Sequence, residues 1–158
     1  MSKLKPQQDF ANPGVGPLFT PRFLLSLLLM LGGIAWIAWY YTGVRVDPTL
    51  VTTLDTSPKS DGPQAIADLK RWNYVIGFAA FFLGLMVAAH PKTPLGRGRG
   101  VVIGMLGCFL LGLLWICTFY VISNDADGVP VFNDLGQYNL MVGIAFMAVG
   151  FTYATRWE

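Results

Sequence analysis

Four long apolar stretches, none holding a charged residue, constrain this chain more than any other feature. They cover residues 23–42, 73–89, 101–122 and 138–155. Each is about 17–22 residues long. At about 1.5 Å rise per residue, a helix of that length matches a hydrocarbon core roughly 30 Å thick. Lipid offers a backbone N–H or C=O no water to bind, so each stretch is expected to be a helix that satisfies its own polar groups. Composition agrees: 13% of the 158 residues are charged, against about 25% in an ordinary soluble domain. One Asp, Lys or Arg at a helix centre costs about 2.5–3.5 kcal/mol on insertion scales, and the four stretches avoid that cost. The expected fold is an all-α membrane protein with four transmembrane helices. A formal net charge of +2 implies no basic surface for nucleic acid.

Lys3 and Lys5 precede the first stretch, as in a signal peptide, but the apolar run starts only at Phe23. It also exceeds the roughly 7–15 residues of a secretory core, so an uncleaved first span is expected. Orientation follows from the connections. The segment 92–100 carries Lys92, Arg97 and Arg99 and no acid, whereas 123–137 carries Asp125, Asp127 and Asp134 and no base. Basic loops stay in the cytoplasm. Both termini and the basic loop are therefore expected inside, the acidic loop outside. The connection 43–71 holds four bases and four acids, and its Lys70 and Arg71 sit beside the second span on the outer side, against the bias. Its Pro48, Pro58, Gly62 and Pro63 predict an extended or mobile middle, with a short helical lead-in over 65–70. The arm 1–19 has no periodicity and is expected to be disordered unless bound.

The chain reads as a tandem duplication of a two-span unit. The first unit covers 20–91 and the second 101–158. At an offset of 66, Asp68-Leu69 matches Asp134-Leu135, Trp72-Asn73 matches Tyr138-Asn139, and Gly77, Gly84 and Ala88 match Gly143, Gly150 and Ala154. At an offset of 79, Gly33, Trp36, Ile37 and Tyr41 match Gly112, Trp115, Ile116 and Tyr120. Both units enter from the same side, so the repeat is parallel. Asn73, Gly77, Gly84 and Ala88 fall on one stripe of a helix, and Asn139, Gly143, Gly150 and Ala154 repeat it. Small residues let helix backbones approach closely. The stripe either packs its own hairpin or docks another membrane protein. Each Asn either bonds across helices or caps its own. Trp36, Trp72, Trp115, Tyr138 and Trp157 are expected in the headgroup belt.

No catalytic constellation is present. His90 is the single histidine and lies at a span end. Cys108 and Cys117 are nine residues apart, hence on opposite helix faces. No metal or cofactor is expected, and no embedded acid suggests proton coupling. Gly96-Arg97-Gly98-Arg99-Gly100 lacks the Gly-Lys-Ser/Thr ending of a phosphate loop. It reads as a flexible basic loop for anionic lipid or for an acidic partner.

The sequence resembles the CrgA family of actinobacterial cell-division proteins. The resemblance rests on Gly112-Leu113-Leu114-Trp115, on Asn133-Asp134-Leu135-Gly136-Gln137-Tyr138-Asn139, and on the ending Arg156-Trp157. The first unit matches through Thr20-Pro21, Gly33 to Trp36, and Arg71-Trp72-Asn73-Tyr74. It departs where Lys70 replaces the turn glycine and His90-Pro91 replaces Arg-Trp. The resemblance implies a non-enzymatic scaffold that contacts the division ring and the septal peptidoglycan synthases. Its partners would be lipid and other integral membrane proteins of the division machinery. An accessory subunit of a large membrane enzyme, such as a respiratory supercomplex, is the alternative. A small transporter or channel is a third reading.

Overall fold

A computed structural model describes residues 19–46, 62–122 and 129–155. Several sequence expectations lie outside the described residues. These are the N-terminal arm, the middle of the connection 43–71, Asp125 and Asp127, and Trp157. Among the described residues every regular element is helical. Helix α1 spans Pro21–Trp39 and continues as a π-helical turn over Tyr40–Val44. Then come the short α2 (Gln64–Ala67), α3 (Trp72–Ala88), a 3-10 turn (Pro94–Gly96), α4 (Arg99–Ile122), the short α5 (Phe132–Leu135) and α6 (Tyr138–Ala154).

Local chemistry sets the boundaries. Thr20 is extended, its hydroxyl accepts from the Phe23 N–H at 3.2 Å, and Pro21 occupies the first turn. That pairing satisfies an orphan donor where proline's missing N–H costs nothing. At its far end α1 widens: the Arg45 N–H reaches the Tyr40 carbonyl at 2.8 Å, five residues back. The wider turn brings Tyr40 and Val44 inward, and both are buried. Gly98, with φ of 51°, supplies the left-handed residue just before α4.

Helix α1 packs along α3, and α4 along α6; the hairpins meet mainly through α3 and α6. One cluster, Tyr40, Val44, Tyr74, Leu135, Val142 and Phe146, fills one end of the bundle. A second, Ala89, Val101, Cys108, Val149 and Tyr153, fills the other. Phe146 joins the hairpins at mid-height, its ring meeting the edges of Phe82 at 4.9 Å and Phe81 at 5.8 Å. The Tyr153 hydroxyl donates to the Leu85 carbonyl at 3.1 Å. The outward faces stay apolar: Leu28, Leu31, Ile103, Leu110 and Leu114 are all more than half exposed. Helix α1 with its π turn, and α4, each have 24 residues and are long and apolar enough to cross a membrane; α3 and α6 are shorter apolar helices. Cys108 is buried and Cys117 exposed.

The basic loop is more structured than its glycines suggest. Thr93 is fully buried. Its hydroxyl donates to the carbonyls of Ala88 and His90, and it accepts from the Gly96 N–H at 3.2 Å. A methyl group on Gly100 would lie 2.9 Å from the Leu95 Cα, and one on Gly96 would run into the His90 backbone. These glycines serve close packing, which sequence alone does not separate from flexibility.

Candidate functional site

The small-residue stripes face inward, each toward the first helix of its own hairpin. A methyl group on Gly77 would sit 2.9 Å from Ile37 Cδ1 and 3.0 Å from the Gly33 carbonyl oxygen. At Gly143 the same probe would meet Ile116 Cδ1 at 2.8 Å and the Gly112 oxygen at 3.0 Å. Gly84 backs onto Ser26 and Met30, whereas Gly150 faces the Phe109 ring. Ala88 is buried and receives the Thr93 hydroxyl on its carbonyl; Ala154 is half-buried.

The two repeated asparagines do one local job. Asn73 is fully buried, and its Nδ2 donates to the carbonyls of Ile66 at 2.7 Å and Lys70 at 3.2 Å. Asn139, also fully buried, donates to Phe132 at 2.9 Å and Gly136 at 2.8 Å. In both cases the partners lie seven and three residues back. Each amide ties the short lead-in helix (α2 or α5) to the long helix that follows it. The bond is neither interhelical between spans nor an ordinary N-cap, which uses a side-chain oxygen.

A charged joint holds the hairpins together at the Tyr40 end. Asp134, just ahead of α6, accepts from Arg45 Nη2 at 2.7 Å and lies 2.5 Å from Arg45 Nε. The Tyr74 hydroxyl donates at 2.5 Å to Oδ2, the same oxygen that faces Arg45 Nε, while Nη2 takes Oδ1. The side chains of Arg45 and Asp134 are only 10% and 14% exposed. Arg45 also lies over the Tyr41 ring, 4.7 Å from its centroid. Burial alone would lower the Arg45 pKa, but the hydrogen bond and the charge of Asp134 outweigh it and raise the pKa above the ordinary value. The joint draws on three distant segments: the exit of α1, the start of α3 and the short α5. Sequence reasoning did not find it. Asp134 reads as a repeated acid, but Arg45 and Tyr74 are not repeated: their counterparts are Asn124 and Leu140.

The aromatic residues divide. Trp72 and Tyr138 are 66% and 55% exposed, as belt residues would be. Trp115 instead stacks on Phe132, with centroids 4.5 Å apart, and meets the edge of Phe78. Trp36 packs on Trp39 at 5.5 Å, and Tyr40 on Tyr74 at 5.2 Å. Lys92 and Arg97 lie in the Thr93 loop, and Arg99 opens α4. At the same end Arg22 reaches the His90 ring, 2.5 Å from Nε2. Among the described residues no group of three or more His, Cys, Asp or Glu could hold a metal ion.

This geometry, a hairpin whose lead-in, asparagine clamp and glycine contact are each present twice, agrees with the comparison to known families. The family model described as cell division protein CrgA matches in two successive segments, residues 5–92 and 91–158. The chain belongs to the CrgA family. Two matches, one per hairpin, agree with a tandem duplication of the family unit. A cell division protein CrgA of Streptomyces avermitilis is 41% identical over 67 residues, covering 42% of this chain and 75% of the relative. One of Corynebacterium aurimucosum is 28% identical over 76 residues, covering 45% of this chain and 80% of the relative. No solved structure matches. With its apolar helices, this CrgA-family chain is a membrane protein of cell division. The respiratory-subunit alternative finds no support in these comparisons.

Proposed function

We propose that this chain is a non-enzymatic scaffold that crosses the membrane four times and helps position the septal peptidoglycan synthesis machinery. Helices α3 and α6 have 17 residues each, within the range that spans a bilayer. Both termini and the Thr93 loop lie in the cytoplasm. The Asp134 joint lies at the outer surface. Charge supports this orientation, with three bases and no acid in 92–100 against three acids and no base in 123–137.

The observation that carries the scaffold reading is the Arg45–Asp134–Tyr74 joint. It fixes one hairpin against the other with a buried ion pair and a hydroxyl. Two units held in fixed relation present two apolar outer faces, on α1 and α4, to neighbouring spans. A family unit present twice in one chain thus offers two docking faces at a set spacing, and the basic cytoplasmic loop gives a third contact.

Two measurements test the reading. A fluorescent fusion of the full chain should concentrate at division septa, and septal wall synthases should co-purify with it in mild detergent. Uniform membrane fluorescence with no such partners would reject the scaffold. Cysteine labelling from outside the cell should reach positions near Asp68 and Gln137 and miss Lys92 and Arg97; any other pattern would reject the four crossings.

A further inference from the structure

Between α3 and α6, beginning at the charged joint, lies an apolar slot of about 580 Å³. It falls on the line relating the two repeats. Trp72 and Tyr138, Val75 and Met141, and Ala79 and Ala145 line it, and each pair is one repeat position seen twice at the offset of 66. Arg71 and Asp134 stand at its mouth, and Phe82 lines it further along. Beyond Phe82 the helices close, because Phe82 packs on Phe146 at 4.9 Å.

We infer that this slot holds one acyl chain of an anionic glycerophospholipid, with the lipid phosphate at Arg71. The inference rests on the proposed four crossings, which put the mouth at the outer surface. Length is the first argument. Arg71 and Phe82 are eleven residues apart on one helix, about 16 Å at 1.5 Å per residue. That is close to the half-thickness of a hydrocarbon core about 30 Å across. The slot is thus one leaflet deep. Closure is the second. The Phe82–Phe146 pair blocks the inner end, which suits an acyl chain that stops within one leaflet better than a helix crossing the whole core. The volume lies within the range of about 300–1,000 Å³ in which proteins hold small molecules.

Charge is the third argument, and it selects the headgroup. Asp134 is already matched by Arg45 and Tyr74. Among the described residues no carboxylate lies within ion-pair distance of Arg71, which instead sits 6.0 Å from the centroid of the Tyr138 ring. Lys70 beside it is exposed. These two bases run against the charge bias of the chain. A lipid phosphate at the same depth accounts for them.

The test uses the full chain purified in mild detergent. Phosphatidylglycerol, or phosphatidylcholine with the same acyl chains, is added, and bound lipid is counted by native mass spectrometry. One phosphatidylglycerol per chain should be retained, about fivefold better than phosphatidylcholine, the factor for one base at an anionic surface. Arg71→Gln should erase the preference and Arg71→Lys should keep it. Ala145→Phe should fill the slot and remove both adducts while the helical circular dichroism stays unchanged. Equal retention of the two lipids, an Arg71→Gln protein that still prefers phosphatidylglycerol, or no retained lipid would overturn the inference. So would a two-chain species in place of the adduct, which would assign the slot to a second copy. If Ala145→Phe fails to fold, the Arg71 pair decides. The assay is blind to orientation and to division partners, so its failure leaves the scaffold standing, and a wrong crossing count shows in the labelling map instead.

Discussion

Near Gly33 and Gly112 the two hairpins are built alike; two turns further along they part. The methyl probes on Gly77 and Gly143 meet equivalent atoms at distances within 0.1 Å of each other, 2.9 against 2.8 Å for the isoleucine Cδ1 and 3.0 Å for the glycine oxygen in both. At Gly84 the probe meets the Ser26 oxygen at 2.8 Å and the Met30 N at 2.9 Å, both backbone. At Gly150 it meets only ring atoms of Phe109, at 3.3 Å. Met30 and Phe109 correspond, as do Ser26 and Met105. In the first hairpin the small Ser26 is buried and bonds back to the Phe23 carbonyl at 2.8 Å, so the backbones touch. In the second, Phe109 stands between them.

The hairpins differ most at the joint, and there the largest effect is expected. Asp134→Ala leaves Arg45 and Tyr74 buried without the carboxylate that both of them bind. Breaking a buried pair on one side costs about 3–5 kcal/mol. The slight exposure of both side chains places this case near the lower end, roughly 3 kcal/mol. Its repeat counterpart Asp68 is exposed, and Asp68→Ala should cost less than about 0.5 kcal/mol. Unfolding of both variants in detergent micelles, followed by circular dichroism, checks the contrast. Equal losses would mean that the joint does not distinguish the two units. Next is Gly84→Ala against Gly150→Ala. Backbone atoms at Ser26 and Met30 cannot give way, so the first should cost about 1–3 kcal/mol. The Phe109 ring can swing, so the second should be near neutral. The same unfolding measurement, compared pairwise, reads the difference.

What the sequence made legible is what the two units share. The helices and the stripe positions Asn73, Gly77, Asn139 and Gly143 come from features that recur at fixed offsets, but repetition does not say whether the stripe meets its own hairpin or another protein. The joint was illegible for the opposite reason. Tyr74 corresponds to Leu140 and Arg45 to Asn124, so a search for shared pattern passes over both. Arg45 is one of four bases balanced by four acids in a long connection, and only packing shows which acid it meets. The asparagines were half legible. Their burial follows from position on the stripe, but donation to carbonyls seven and three residues back requires a left-handed residue in the preceding turn. Their effects should be equal: Asn73→Ala and Asn139→Ala each free two carbonyls and should each cost about 1–2 kcal/mol. A gap larger than that between the two would show that only one lead-in is held this way.

The left-handed residue itself gives the smallest and the only stabilising prediction. The turn ahead of α6 places Gly136 at φ of 51°, followed by Gln137 at φ −64° and ψ −19°. The turn ahead of α3 places Lys70 at φ of 46°, followed by Arg71 at φ −61° and ψ −22°. The backbone path is the same, but in the first unit a side chain is forced into a region that costs an L-residue about 1–2 kcal/mol. Asn73 favours this turn by donating to the Lys70 carbonyl at 3.2 Å as well as to Ile66 at 2.7 Å. Lys70→Gly should therefore stabilise the chain by about 1 kcal/mol, the relief being partly offset by the greater freedom of glycine in the unfolded chain. Gly136→Lys should destabilise by at least as much, because nothing within 4 Å of its Cβ position would favour the new side chain. A loss of stability in Lys70→Gly would mean that lysine at this turn is held by an interaction rather than tolerated, and the two turns would then be alike only in outline.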